Sequence, residues 1–128
     1  PAANRVLTFA EKPDLATAER FLDAGDFLWN SGMFIWRADA ILAALARHTP
    51  EVAAAFAPLA EAFGTDAEEA AVAEAYAATP KISIDYGVME RAERVLVVPG
   101  DFGWSDVGDW RAVHELADKD DAGNRGDG

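Results

Sequence analysis

The stretch Arg94-Val95-Leu96-Val97-Val98, followed by Pro99-Gly100-Asp101 and then by Phe102-Gly103-Trp104-Ser105-Asp106-Val107-Gly108, decides the fold class. Residues 94–98 read as a continuous apolar strand, the kind buried on both faces of a sheet. Pro99-Gly100-Asp101 turns the chain, and a helix follows with Trp110, Val113, His114 and Ala117 on one face. A buried strand feeding a helix through a glycine-containing connection is a unit of α/β architecture.

Working outward, Arg5 to Ala10 is β-prone and is stopped by Pro13, so a strand end presents Glu11 and Lys12. Asp14 caps a helix with Leu15, Ala18, Phe21 and Leu22 on its apolar face, closed by Gly25. Asn30-Ser31-Gly32 marks a tight turn leading into a short strand, Met33 to Trp36. Ala38 to His48 is a helix ended by Pro50. Residues 51–78 form one or two alanine-rich helices, broken at Phe63-Gly64-Thr65, with Val52, Phe56, Leu59 and Phe63 on the packing side. Ser83 caps another helix in which Ile84 and Val88 stack four residues apart. Phe34, Trp36, Phe102 and Trp110 are expected in the core. His48 and His114 are expected to be structural. Three or four strands are few for a complete α/β domain, so the chain reads as part of one.

The formal net charge of −12 argues against nucleic acid or an anionic membrane as partner. It leaves room for a phosphate ligand held locally by a lysine and backbone N–H groups. With no cysteine, disulfides, thiolate chemistry and cysteine-zinc sites are excluded. No apolar run has the length of a membrane span and no signal-peptide pattern is visible, which fits a cytoplasmic protein. The chain opens at Pro1 without an initiator Met, so an upstream portion is expected.

Three constellations carry chemistry. Glu11-Lys12-Pro13 sets a carboxylate and an ammonium side by side; on a strand they point to opposite faces and can touch different parts of one ligand. The plainer account is a solvated ion pair ahead of a helix. In Trp29-Asn30-Ser31-Gly32, the Asn amide offers both a donor and an acceptor for vicinal hydroxyls, and Gly32 permits close backbone approach. An ordinary Asn-capped turn explains the same residues. Asp106, flanked by small residues where strand meets helix, suits Mg²⁺, which takes one or two carboxylates and fills its shell with phosphate and water. Here the plainer account is that Asp106 caps the helix starting near Gly108. A fourth segment, Ser83 to Glu90, contains Asp85 and Glu90; both could shape a pocket, but a capped amphipathic helix explains it nearly as well.

In order along the chain, Phe9-Ala10-Glu11-Lys12-Pro13, Trp29-Asn30-Ser31-Gly32-Met33-Phe34, Ser83-Ile84-Asp85-Tyr86-Gly87-Val88-Met89-Glu90 and Gly103-Trp104-Ser105-Asp106-Val107-Gly108 resemble the second half of the catalytic domain of the mannose-1-phosphate guanylyltransferase family (GDP-mannose pyrophosphorylases). The resemblance implies the C-terminal portion of a Rossmann-like nucleotide-diphospho-sugar transferase domain with a mixed sheet. It implies transfer of a guanylyl group from GTP to mannose 1-phosphate, with Mg²⁺ as cofactor. Glu11, Asn30 and Gly32 would hold the sugar, Lys12 its phosphate, and Asp106 would be one of two metal ligands. Lys12 and Asp106 are thus the expected catalytic residues.

On this reading residues 1–117 are the sugar-phosphate half of the domain, and residues 118–128 are a linker or frayed tail. The glycine-rich, arginine-bearing loop that would cradle the triphosphate has no counterpart here, so the segment alone is expected to be inactive and to expose an apolar edge. Any homo-oligomer would form through absent regions. Two other functions fit the same residues. One is a non-catalytic module that binds a sugar phosphate and regulates; the other is a related hexose-1-phosphate nucleotidylyltransferase with another sugar or base.

Overall fold

The computed structural model describes residues 2–117 and 119. These fall into two compact units: one runs up to Phe27 and resumes over Phe34–Pro99, and the other joins Leu28–Met33 to the segment from Gly100 on. The remaining tail positions, about which a linker was expected, lie outside the described residues.

In the first unit, helix α1 (Leu15–Ala24) starts where its cap chemistry says it should. The Asp14 carboxylate accepts from the Thr17 backbone N–H at 2.8 Å, and Gly25 ends the helix at φ 71 with its N–H on the Phe21 carbonyl. Helix α2 spans Ala38–His48. Pro50 does not merely end it. It occupies the first turn of α3 (Pro50–Phe56), where its missing N–H costs nothing. The alanine-rich region divides further into α4 (Leu59–Ala62) and α5 (Glu68–Ala78), with the break at Gly64, which takes φ 75. Phe56 meets Tyr76 edge to face at 5.2 Å and ties α3 to α5.

Strands are much shorter than the sequence suggests. β1 (Asn4–Arg5) and β2 (Leu96–Val97) pair antiparallel, Asn4 with Val97 and Arg5 with Leu96, and one more bond runs from the Val6 N–H to the Val95 carbonyl. The expected strands at residues 5–10 and 94–98 shrink to this ribbon, and Met33 to Trp36 is not a strand. Nor is 94–98 buried on both faces: Val95 and Val97 are half-buried while Leu96 and Val98 are exposed. A strand needs a partner on each side to bury both faces, and among the described residues this sheet has only two strands.

The centre of the unit is one π-helical turn, Asp85–Met89, where a capped α-helix was expected. Ser83 still contributes, its hydroxyl accepting from the Tyr86 N–H at 3.4 Å. Val88, at 3% exposure, Met89 and Ala75 are the buried apolar residues of the described chain, and Thr49 is its buried polar one. Thr49 is satisfied through its hydroxyl, which donates to the Leu45 carbonyl at 3.0 Å. Its methyl group lies so close to Gly87 that a Cβ on the glycine would come within 2.9 Å of it. Arg91 clips the same junction by donating to the His48 carbonyl at 3.0 Å.

Much of the expected core is at the surface. Ile35 is 98% exposed, Leu7, Leu15, Leu22 and Phe63 are largely exposed, and of the four aromatic residues expected inside only Phe34 is half-buried. In the second unit, helix α6 (Trp110–Leu116) likewise leaves Trp110 exposed. No helix among the described residues is long and apolar enough to cross a membrane.

Two predictions follow from the packing and the cap. Gly87→Ala should destabilise by about 1–3 kcal/mol through overpacking, and adding Thr49→Ser should recover part of the loss; urea unfolding of the single and double variants measures this coupling. Hydrogen bonds from the Thr17 side chain and then its backbone N–H hold the Asp14 carboxyl below its ordinary value. Its stabilisation is therefore present above the unfolded value of about pH 4 and is lost as pH falls through the lower folded value. Asp14→Asn should keep α1 helical and flatten that part of the acid titration, as followed by circular dichroism.

Candidate functional site

The first unit carries Glu11 and Lys12. They lie beyond the end of β1, and Lys12 adopts φ 49. A left-handed backbone is uncommon for a residue with a Cβ and costs on the order of 1 kcal/mol. It also overturns the expectation that the two side chains diverge to opposite faces. The Lys12 ammonium lies 3.7 Å from the Glu11 carboxylate, with the lysine side chain 80% and the glutamate side chain 23% exposed. The turn folds the pair together, leaving the ammonium open to solvent beside a partly sheltered carboxylate. The Glu11 N–H donates to the Glu90 carboxylate at 3.1 Å. A cleft of about 150 Å³ opens nearby, between residues 6–9 and Met89–Glu90.

The second unit carries Asn30, Gly32 and Asp106. The Asn30 side-chain oxygen accepts from the Gly32 N–H at 2.9 Å, and Gly32 takes φ 72, where a side chain would be strained. The expected turn therefore forms. Its oxygen is engaged locally, which leaves the Asn30 NH₂ as the donor with freedom to reach a ligand. Space around Gly32 is open: a Cβ there would meet nothing within 4 Å.

Asp106 does not cap the last helix. That role belongs to Asp109, whose carboxylate accepts from the Ala112 N–H at 2.8 Å. The signal was present in the sequence, as an Asp immediately before the Trp110 turn. None of the hydrogen bonds among the described residues ends on Asp106, which is exposed and follows a half-buried Ser105. Its oxygen stands over Gly108, where a Cβ would come within 3.5 Å of it. Val107, the next residue, takes φ 48, an outlier for a β-branched side chain. Among the described residues the only non-glycine positions at positive φ are thus Lys12 and Val107. One is an expected phosphate ligand and the other adjoins the expected metal ligand. Strain of this kind concentrates at ligand sites.

No group of three or more His, Asp or Glu side chains that could cage a cation occurs among the described residues. Asp106 fits the sparser donor set of Mg²⁺, a single free carboxylate with the other positions left to phosphate oxygens and water. A larger hollow, about 400 Å³, lies at the start of α5 among Asp66, Glu68 and Glu69 and holds none of these residues.

The model of the family described as nucleotidyl transferase matches residues 1–123. A mannose-1-phosphate guanylyltransferase of Salmonella montevideo is 45% identical over 123 residues, which is 95% of this chain and 26% of that protein. The mannose-1-phosphate guanylyltransferase of Escherichia coli K12 is 41% identical over 123 residues, again 95% of this chain and 26% of the relative. The alginate biosynthesis protein AlgA of Pseudomonas putida is 43% identical over 121 residues, 94% of the chain and 25% of the relative. The chain therefore spans about a quarter of the length of the curated relatives it matches.

The two aspartates near α6 separate function from stability. Asp109→Ala should cost about 1 kcal/mol and loosen the helix. Asp106→Asn should leave the unfolding midpoint unchanged, because that carboxylate supports no backbone group. Thermal unfolding of both variants checks this.

Proposed function

The chain belongs to the nucleotidyl transferase family, and on that premise we propose that it is the sugar-phosphate half of a mannose-1-phosphate guanylyltransferase. The observation that carries this reading is its similarity, across 95% of its length, to relatives bearing that name. The two strained residues support it. Family membership implies an α/β fold; the finer assignment, the C-terminal portion of a Rossmann-like domain with a mixed sheet, is part of the proposal.

The reaction joins GTP to mannose 1-phosphate. A phosphate oxygen of the sugar phosphate attacks the α-phosphorus of GTP in line, and pyrophosphate leaves. The nucleophile is already an anion at neutral pH, so no general base and no covalent enzyme intermediate are required. What remains is positioning and neutralisation of crowded charge. Glu11 accepts hydrogen bonds from sugar hydroxyls, and the Asn30 NH₂ donates to another. Gly32 lets the sugar approach the backbone. The exposed Lys12 ammonium exchanges its carboxylate neighbour for the phosphate. Asp106 would hold Mg²⁺, which supplies charge neutralisation on the phosphates. A nucleoside triphosphate substrate fits a cytoplasmic setting.

The test uses this chain and a chimera in which residues 1–123 replace the matched stretch of the E. coli relative. Pyrophosphate release is measured with Mg²⁺, GTP and mannose 1-phosphate. The chimera should turn over and the isolated chain should not. Lys12→Ala and Asp106→Ala should each lower kcat/KM by roughly a hundredfold or more, the scale of losing one charge-stabilising group. An inactive chimera that still binds mannose 1-phosphate would replace the enzyme reading with a non-catalytic binding module. Preference for another hexose 1-phosphate or another nucleotide would reassign the substrate.

A further inference from the structure

Glu90 is separated from Glu11 by 79 residues, yet its carboxylate is the acceptor for the Glu11 backbone N–H, at 3.1 Å. Both the place and the aim of this carboxylate come from the π turn. In an α-helix the N–H of residue 90 would bond to residue 86; here it bonds to the Asp85 carbonyl at 3.0 Å. The turn holds one residue more than an α-turn. At about 100° per residue, that extra residue swings Glu90 around the axis relative to an α-helical continuation. The turn itself cannot drift, because Gly87, Val88 and Met89 are buried and Gly87 sits against Thr49. Glu90 is thus an exposed carboxylate mounted on the best-packed element of its unit.

What it grips is the least relaxed backbone in that unit. The Glu11 N–H lies immediately before Lys12 with its φ of 49. Beyond this bond, Glu11 and Lys12 have only each other, at 3.7 Å, as charged partners among the described residues. A left-handed residue relaxes readily unless the surrounding structure holds it. A charge-assisted bond from a fixed carboxylate to the preceding amide supplies such a restraint.

From this geometry we infer that Glu90 is a positioning residue, which acts through the Glu11 amide to hold Glu11 and Lys12 in the conformation that receives the sugar phosphate. The inference rests on the function proposed above for Glu11 and Lys12. Glu90 touches no substrate in this account. Its side chain needs only an acceptor oxygen, so Glu90→Gln retains the role and Glu90→Ala removes it.

Two measurements test it. Hydrogen–deuterium exchange on this chain should show faster exchange of the segment containing Glu11 in Glu90→Ala, with near-normal protection in Glu90→Gln and no change over α2. In the chimera, Glu90→Ala should raise KM for mannose 1-phosphate about tenfold and leave KM for GTP unchanged, and Glu90→Gln should recover most of the loss. That is the scale of one hydrogen bond to a charged group. Unchanged exchange at Glu11 in Glu90→Ala would overturn the inference, as would a Gln variant as impaired as the Ala variant. If the exchange results hold and the parent chimera does not turn over mannose 1-phosphate, the anchoring by Glu90 stands and the functional reading falls.

Discussion

Thr49 and Gly87 meet so closely that no side chain fits on the glycine, and the first unit is organised around that contact. It fixes the C-terminal end of α2 against the π turn. Val88 and Met89 within the turn are buried, and Glu90 follows at its end with its side chain exposed. Arg91 and the Arg47–Glu93 pair at 3.1 Å bridge the same junction from outside. The exposed ion pair adds little alone. The close packing is what makes the junction specific, since interiors resist even one added methyl group.

The features legible in the sequence are those decided by neighbouring residues. Asp14 and Gly25 bracket α1 because both caps are short-range hydrogen-bond problems with few solutions. Asn30 and Gly32 announce their turn for the same reason. Strand length is not legible in this way, because an apolar run such as 94–98 carries no record of how many partners will flank it. Leu96 and Val98 have the composition of core residues and stand in solvent. The π turn was hidden too: Ile84 and Val88 match an α-helical spacing, and the extra residue shows only in which carbonyl receives the Glu90 N–H.

At the candidate site the residue types were readable and their arrangement was not. Glu11 and Lys12 stand out as a charged pair before a proline, but side-chain direction was inferred from a strand that ends at Arg5. The left-handed turn at Lys12 has no local signature, since neither lysine nor a following proline calls for positive φ. Asp106 stands out among small residues, and the capping role it could have had belongs to Asp109. Glu90 was the least visible, because its partner is remote in sequence.

The five-residue turn also governs which changes of length this part of the chain can absorb. Substitutions on its solvent side leave the winding intact, whereas removal of a single residue would let the segment close as an ordinary α-helix, the conformation the backbone prefers. Relaxation to α-winding at unchanged length would instead rotate every later side chain by about 100°, and the Glu90 carboxylate would leave the Glu11 amide while the hydrophobic pattern stayed the same. The register between two distant loops is thus stored in residue count and winding together, so that a lost residue is absorbed only when the turn tightens with it.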